Sequence, residues 1–226
     1  MKLYICENTG TAKWRKNIKN DKKLSLAFAK KCVCDYLGEK EQNIDIIISK
    51  NEYGKPYVQE IYKLITKTEK IKIDISIFFS VSHSENMIIC AVACFNIGVD
   101  CQKKNIDDIE KCKKIAKRFY SGQENAFLDS ILLSDDENDN DSEIKEQEYI
   151  SNFFRIWAKK EAYIKYTGKG LSEGLNTFSV TNENRQKSYY KDVYFKRISP
   201  AKNNKFYIYL CYNKENKNIC QIKYFS

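Results

Sequence analysis

Two acids in this chain stand where chemistry could be done, and each is set in a distinctive run. Glu161 lies in Trp157-Ala158-Lys159-Lys160-Glu161-Ala162-Tyr163-Ile164-Lys165. Phe153, Phe154, Trp157, Ala158, Ala162 and Ile164 fall on one helical stripe, and Glu161 falls on it too. A carboxylate on a buried face is costly unless something neutralises it. Lys165, one turn further on, could do so as an i,i+4 pair, and so could a metal ion. Asp100 closes Ile97-Gly98-Val99-Asp100, read as a turn entering the short strand 99–101. Strand ends beside turns are where function is grafted, although Asp is also a common turn residue. Gln102 shares the face of Asp100 if the strand continues.

Three further positions could bind an anion. His83 ends a strand behind Ser80-Val81-Ser82 and is the chain's one histidine. It must serve any Ser–His or Cys–His dyad, or else be a structural residue. Lys55, in the turn Gly54-Lys55-Pro56, is expected to be exposed and able to reach a phosphate. The loop Thr167-Gly168-Lys169-Gly170-Leu171 follows the long helix, whose C-terminal dipole is negative, so it is no helix-dipole phosphate cradle. It is not a Walker loop either.

Composition narrows the classes. One histidine excludes HExxH and multi-histidine metal sites, so a metal here would be a hard ion on oxygen ligands. The nine cysteines are odd in number and contain no CxxC pair, unlike a secreted disulfide framework or a zinc ribbon. They read as small buried hydrophobes. No stretch approaches the roughly 18 apolar residues of a membrane span, and the first residues do not read as a secretory signal. A cytoplasmic location with no membrane partner is therefore expected. The net charge is +9, yet the segment 134–148 alone carries −7, which leaves +16 on the remainder. Such a field favours an anionic partner: nucleic acid, a phosphorylated small molecule or an acidic protein.

These residues need elements to position them. Leu24–Leu37 has helical periodicity, and Ile44, Ile46 and Ile48 alternate as in a half-buried strand. Odd positions from Ile71 to Val81 alternate again, predicting one strand that ends at Ser82-His83. Met87–Phe95 is a continuous apolar run, expected to be a buried strand. Ile109–Phe119 is a second helix, and Ser121 with Glu124 forms a capping box that opens a third. The acidic run 134–148 is expected to be a solvated loop, followed by a helix over Tyr149–Tyr166. The tail predicts strands at Thr177–Val180, Val193–Arg197, Tyr207–Tyr212 and Ile219–Lys223. The order gives a mixed α+β chain.

Taken together, the motifs resemble the 4'-phosphopantetheinyl transferases of the Sfp type, which make holo-carrier proteins. The resemblance rests on Ile97-Gly98-Val99-Asp100 followed by Trp157-Ala158-Lys159-Lys160-Glu161-Ala162-Tyr163-Ile164-Lys165. Gly168-Lys169-Gly170-Leu171-Ser172, leading into Phe178-Ser179-Val180, continues it. Upstream, Glu52-Tyr53-Gly54-Lys55-Pro56 and Ser80-Val81-Ser82-His83-Ser84 match two more signatures in order. The match runs from about residue 44 to residue 180.

The resemblance implies a fold of two similar α/β subdomains, 1–97 and 98–226, packed as a pseudodimer with the active site in the cleft between them. It implies a monomeric enzyme that moves the 4'-phosphopantetheine group of coenzyme A to a serine of an acyl- or peptidyl-carrier protein and releases 3',5'-ADP. Asp100, Gln102 and Glu161 would hold Mg²⁺. Glu161, or a water it orients, would take the serine proton, and Lys165 would pair with the α-phosphate. Lys55, Ser82 and His83 would bind the nucleotide phosphates, and Lys160 the ligand or its surroundings. The family often carries an acid where Gln102 stands, so this metal shell would lack one charge. Lys22, Lys23, Lys30 and Lys31 are candidates for the 3'-phosphate. The carrier is acidic in these systems, which agrees with the basic body. A basic nucleic-acid-binding protein would explain the charge but not Glu161, and no RNA-binding aromatic signature is present.

Overall fold

The computed structural model describes residues 1–7, 22–105, 108–133, 141–182, 186–199, 205–216 and 220–225. The elements run β1 (Lys2–Glu7), α1 (Lys22–Leu37), β2 (Ile44–Lys50), β3 (Pro56–Leu64), β4 (Lys70–Lys72) and β5 (Phe78–Ser84). Then follow β6 (Met87–Ala93), β7 (Ile97–Lys103), α2 (Ile109–Phe119), α3 (Gly122–Leu133) and α4 (Asp141–Thr167). The chain finishes with β8 (Tyr189–Tyr190), β9 (Val193–Ile198), β10 (Phe206–Asn213) and β11 (Gln221–Phe225). The class is mixed α and β, as the sequence predicts.

Two four-stranded sheets, β11-β1-β6-β5 and β7-β10-β9-β8, pack face to face, and β2-β3-β4 forms a smaller third. The apolar runs follow from this layering. Met87, Ile89, Ala91 and Ala93 of β6 enter a core shared with Val99, Cys101, Ile208 and Leu210. Ile88, Cys90 and Val92 point the other way, into a core with α1, Ile46 and Ile61. β10 divides likewise: Ile208 and Leu210 face the sheet interface, while Tyr207, Tyr209 and Cys211 face the helices. Strands covered on both faces lose the alternation of a half-buried strand.

β7 is the strand that matters for the site. Ile97, Val99 and Cys101 enter the core between the sheets, so Gly98, Asp100 and Gln102 lie on the opposite face, beneath α4. Gly98 is inside the strand rather than in a turn, and its lack of a side chain sets the approach. A Cβ there would overlap the Ala162 carbonyl oxygen and lie 2.6 Å from the Tyr166 nitrogen. At the far end, Gly168 terminates α4 in the left-handed region (φ 73°), with its N–H on the Ile164 carbonyl at 2.8 Å.

Other expectations need correcting. The pattern from Ile71 to Val81 is not one strand: β4 pairs with β3, residues 73–77 carry the chain across, and β5 joins β6 in another sheet. Alternation records one-sided exposure and is blind to a change of partner. Helix α4 begins at Asp141, so residues 141–148 of the acidic run are helical, whereas 134–140 lie outside the described residues. Acids near a helix N-terminus are favoured by the dipole, so a high acid content did not require a loop. Thr177–Val180 is a single helical turn over Leu175–Thr177 and then irregular chain. The last strand pairs in parallel with β1, placing the C-terminal segment in the sheet of the first half. β1 and β3 were not foreseen.

Candidate active site

Asp100 is nearly inaccessible, and three groups converge on its carboxylate. Ser82 donates its hydroxyl to Oδ1 at 2.7 Å, and Lys165 reaches the same oxygen at 2.7 Å. Lys165 also donates to Ser82 Oγ at 2.8 Å, closing a triangle between β5, β7 and α4. Gln102 Nε2 donates to Oδ2 at 2.8 Å. The lysine therefore neutralises Asp100, not Glu161 as an i,i+4 partner. Buried and charge-assisted, these bonds fix the carboxylate in one orientation.

Glu161 has the opposite situation. It is part-buried, and among the described residues no hydrogen bond or ion pair holds its carboxylate. Burial first, and the charge of Asp100 second, push its pKa up, while Lys165 pulls it partway back. The two carboxylates repel each other, a situation that a bound cation would relieve. Among the described residues no group of three or more His, Cys, Asp or Glu surrounds a common point, so a cation beside Asp100 and Glu161 would have no third such ligand. That donor set fits Mg²⁺, which typically takes one or two carboxylates and completes its shell with waters and substrate phosphates. Gln102 was expected to be a third ligand. Its amide nitrogen donates to Asp100, so in this structure it also orients that carboxylate.

Ser82 and Lys165, the two groups bonded to Asp100 Oδ1, line a cavity of about 520 Å³ together with Ser25, Lys55, His83 and Gly168, among others. Most of the phosphate candidates are therefore gathered in one place. His83 is exposed at the rim, and among the described residues no side-chain hydrogen bond or ion pair holds it. Ser82 is buried, with its proton committed to Asp100, so it orders the site more than it offers a free donor. Lys55 is not the exposed turn lysine expected. Its amine donates to Asn96 Oδ1 and the Tyr166 carbonyl, both at 3.0 Å, and burial lowers it to about 8. Asn51 ties the same turn to the end of α4 through the Gly168 carbonyl (3.0 Å).

Lys160, expected at the ligand or its surroundings, is not among the residues lining the cavity. Its side chain is fully buried on another face of α4, paired with Glu124 at 2.8 Å and donating to the Leu175 and Phe178 carbonyls at 2.6 Å. Glu124 also accepts the N–H groups of Ser121 (2.9 Å) and Val180 (2.8 Å). The sequence marked Glu124 only as half of a capping box. Nothing in its local pattern signals that it anchors the residue next to Glu161 in the chain. Of the 3'-phosphate candidates, Lys23 and Lys30 are exposed on α1, and Lys31 lies 5.0 Å over the Phe225 ring. The side chain of Lys22 lies outside the described residues.

The chain is similar in sequence to known proteins. The chain is similar to the 4'-phosphopantetheinyl transferase gsp of Aneurinibacillus migulanus, 31% identical over 149 residues, covering 66% of this chain and 49% of that protein. It is also similar to the 4'-phosphopantetheinyl transferase Sfp of Bacillus subtilis, 35% identical over 136 residues, covering 60% of this chain and 47% of the relative. A third, HetI of Nostoc sp., is 34% identical over 99 residues, 43% of this chain and 35% of its own. The chain thus spans about half the length of the curated relatives it matches. The family model of the 4'-phosphopantetheinyl transferase superfamily matches residues 96–214, a span that holds Gly98, Asp100, Glu161 and Lys165. On that match, this chain belongs to the 4'-phosphopantetheinyl transferase superfamily.

Proposed function

We propose that this chain transfers the 4'-phosphopantetheine group of coenzyme A to a serine hydroxyl of an apo acyl- or peptidyl-carrier protein, with Mg²⁺, and releases 3',5'-ADP. The observation that carries the reading is the Glu161 carboxylate, unpartnered among the described residues, near the fully bonded Asp100, whose partners Ser82 and Lys165 line a basic cleft in a chain of this family. Asp100 and Glu161 would hold the ion. When bound, it supplies charge neutralisation between the two phosphates of coenzyme A.

The remaining work falls to the chain's own groups. The carrier serine oxygen bonds to the phosphorus that bears pantetheine, and the bond from that phosphorus to the bridging oxygen breaks. Glu161, or a water it orients, accepts the serine proton, and its raised pKa makes it a better base. Lys165 turns from Asp100 to the departing phosphate, whose charge it stabilises. Lys55 and His83 would contact nucleotide phosphates. Ser82 and Gln102 would keep Asp100 oriented.

Two sheets packed face to face, one backed by α1 and the other by α4, support the two-subdomain pseudodimer with a division near 97/98. In that reading β11 is a strand the second half lends to the first. The basic body suits an acidic carrier, and a cytoplasmic monomer suits soluble carriers. The test is a mass measurement on carrier incubated with coenzyme A and Mg²⁺. One phosphopantetheine should be gained on serine, and Asp100→Ala or Glu161→Ala should slow the gain at least about a hundredfold. No gain across several acyl- and peptidyl-carriers, with a control transferase working, would defeat the proposal.

A further inference from the structure

A second cavity, of about 690 Å³, lies on the other side of α4 from Glu161. Strand register locates it. Tyr209 of β10 stands opposite Asp100 of β7 and opposite Arg197 of β9, so the three side chains form one row on one face of the sheet. Helix α4 runs over that face. The Asp100 end of the row adjoins Ser82 and Lys165, which line the first cavity, and Arg197 at the other end lines the second. The two ends are two strand spacings apart, about 10 Å, and no residue lines both cavities.

Charge is one-sided there. Arg155, Lys159, Lys187 and Arg197 line the cavity against one acid, Glu148. Among the described residues none of these four cations is in an ion pair. Aromatic faces and neutral oxygens hold Lys159 and Arg155 instead. Lys159 is 4% exposed, donates to the Lys187 carbonyl at 2.7 Å, and lies 5.3 Å over the Tyr209 ring and 5.9 Å over Phe195. Arg155 lies 5.9 Å over Tyr207 and makes one long bond, 3.4 Å, to Asn152. Its buried Nε has no hydrogen-bond partner among the described residues. Cation–π contacts give back only part of what burying a charge costs. A cluster of unpaired cations over an aromatic floor is left for an anion to complete.

We propose that this cavity is a second anion site, separate from the cleft, which takes a small phosphomonoester. The phosphate meets Arg155, Lys159 and Arg197, and the organic part rests on Phe195 and Tyr209. The volume suits a ligand of that size.

Calorimetric titration of the full chain without Mg²⁺, using phenyl phosphate and inorganic phosphate as probes, tests the site. Phenyl phosphate should bind more tightly than phosphate. Arg197→Ala, an exposed position whose loss leaves the fold intact, should weaken phenyl phosphate about tenfold, and Arg155→Gln should do the same. Lys165→Ala, which removes a cation from the cleft only, should leave that affinity within about twofold. The proposal fails if no heat of binding appears into the millimolar range. It fails also if Lys165→Ala abolishes binding while Arg197→Ala does not, since the probe then sits in the cleft. Equal affinities for the two probes would overturn the aromatic floor.

Discussion

Replacing Gly98 by alanine tests the link between backbone packing and chemistry, because one methyl group meets atoms that cannot rotate away. The new Cβ would overlap the Ala162 carbonyl oxygen, and would lie 2.6 Å from the Tyr166 nitrogen and 2.9 Å from Tyr166 Cβ. Ordinary contact begins near 3.4 Å, so β7 and α4 must part by more than about 1 Å. Overpacking of this kind costs about 1–3 kcal/mol, and backbone on both sides puts this case at the upper end. Asp100 lies on the same face of β7 two residues on, and Glu161 neighbours Ala162, so the separation acts directly on the two acids proposed to hold Mg²⁺. A misplacement of about 1 Å can cost about a hundredfold in rate. Urea unfolding and carrier-loading kinetics over a Mg²⁺ titration give both numbers. Ala162→Gly should not rescue, since the clash is with a carbonyl oxygen. Gly122→Ala, with nothing within 4 Å, is the control and should be neutral or stabilising. A Gly98→Ala protein with unchanged stability and unchanged Mg²⁺ half-saturation would refute the close-approach argument.

Three further perturbations address other parts of the site. Gln102→Glu adds charge beside Asp100 and should lower the Mg²⁺ concentration for half-maximal rate by several-fold, while turnover can fall through repulsion of the pyrophosphate; identical half-saturation points would show that position 102 does not address the ion. Lys160→Met leaves the fully buried Glu124 without its counter-ion and should cost about 3–5 kcal/mol by urea unfolding, with the Glu124→Gln, Lys160→Met double variant losing less than the sum of the singles; strict additivity would mean the pair is not coupled. Lys55 has a pKa lowered by burial from 10.5 to about 8, so the stability it contributes is present above 10.5 and is lost as pH falls through 8. Relative to Lys55→Met, the wild type should therefore lose up to about 3 kcal/mol between pH 10.5 and pH 8, and a pH-independent difference would contradict that burial.

The family was legible in the sequence because its motifs are short segments. Asp100 and Glu161 each sit in a local pattern that secondary structure alone turns into geometry: period two aims Gly98, Asp100 and Gln102 at one side, and period 3.6 puts Glu161 and Lys165 on one edge. The continuous apolar run Met87–Phe95 likewise announced a strand with both faces covered. What the sequence could not determine were choices among partners. Lys165 had two carboxylates within reach of its stem, and only the approach of β7 to α4, set by Gly98, gave it to Asp100 and left Glu161 free. Lys160 and Lys165 look alike as lysines on one helix. The tertiary structure sent the first inward to Glu124, 36 positions earlier, and the second to the cleft. Lys55 was expected in solvent, and a packing contact with the end of α4 placed its amine on the Tyr166 carbonyl. The parallel pairing of the last strand with the first joins residues more than two hundred positions apart, which no local period encodes. Burial and ion pairing are properties of the packed layers, so each side chain's type was fixed by the sequence while its counterpart was fixed by which surfaces met.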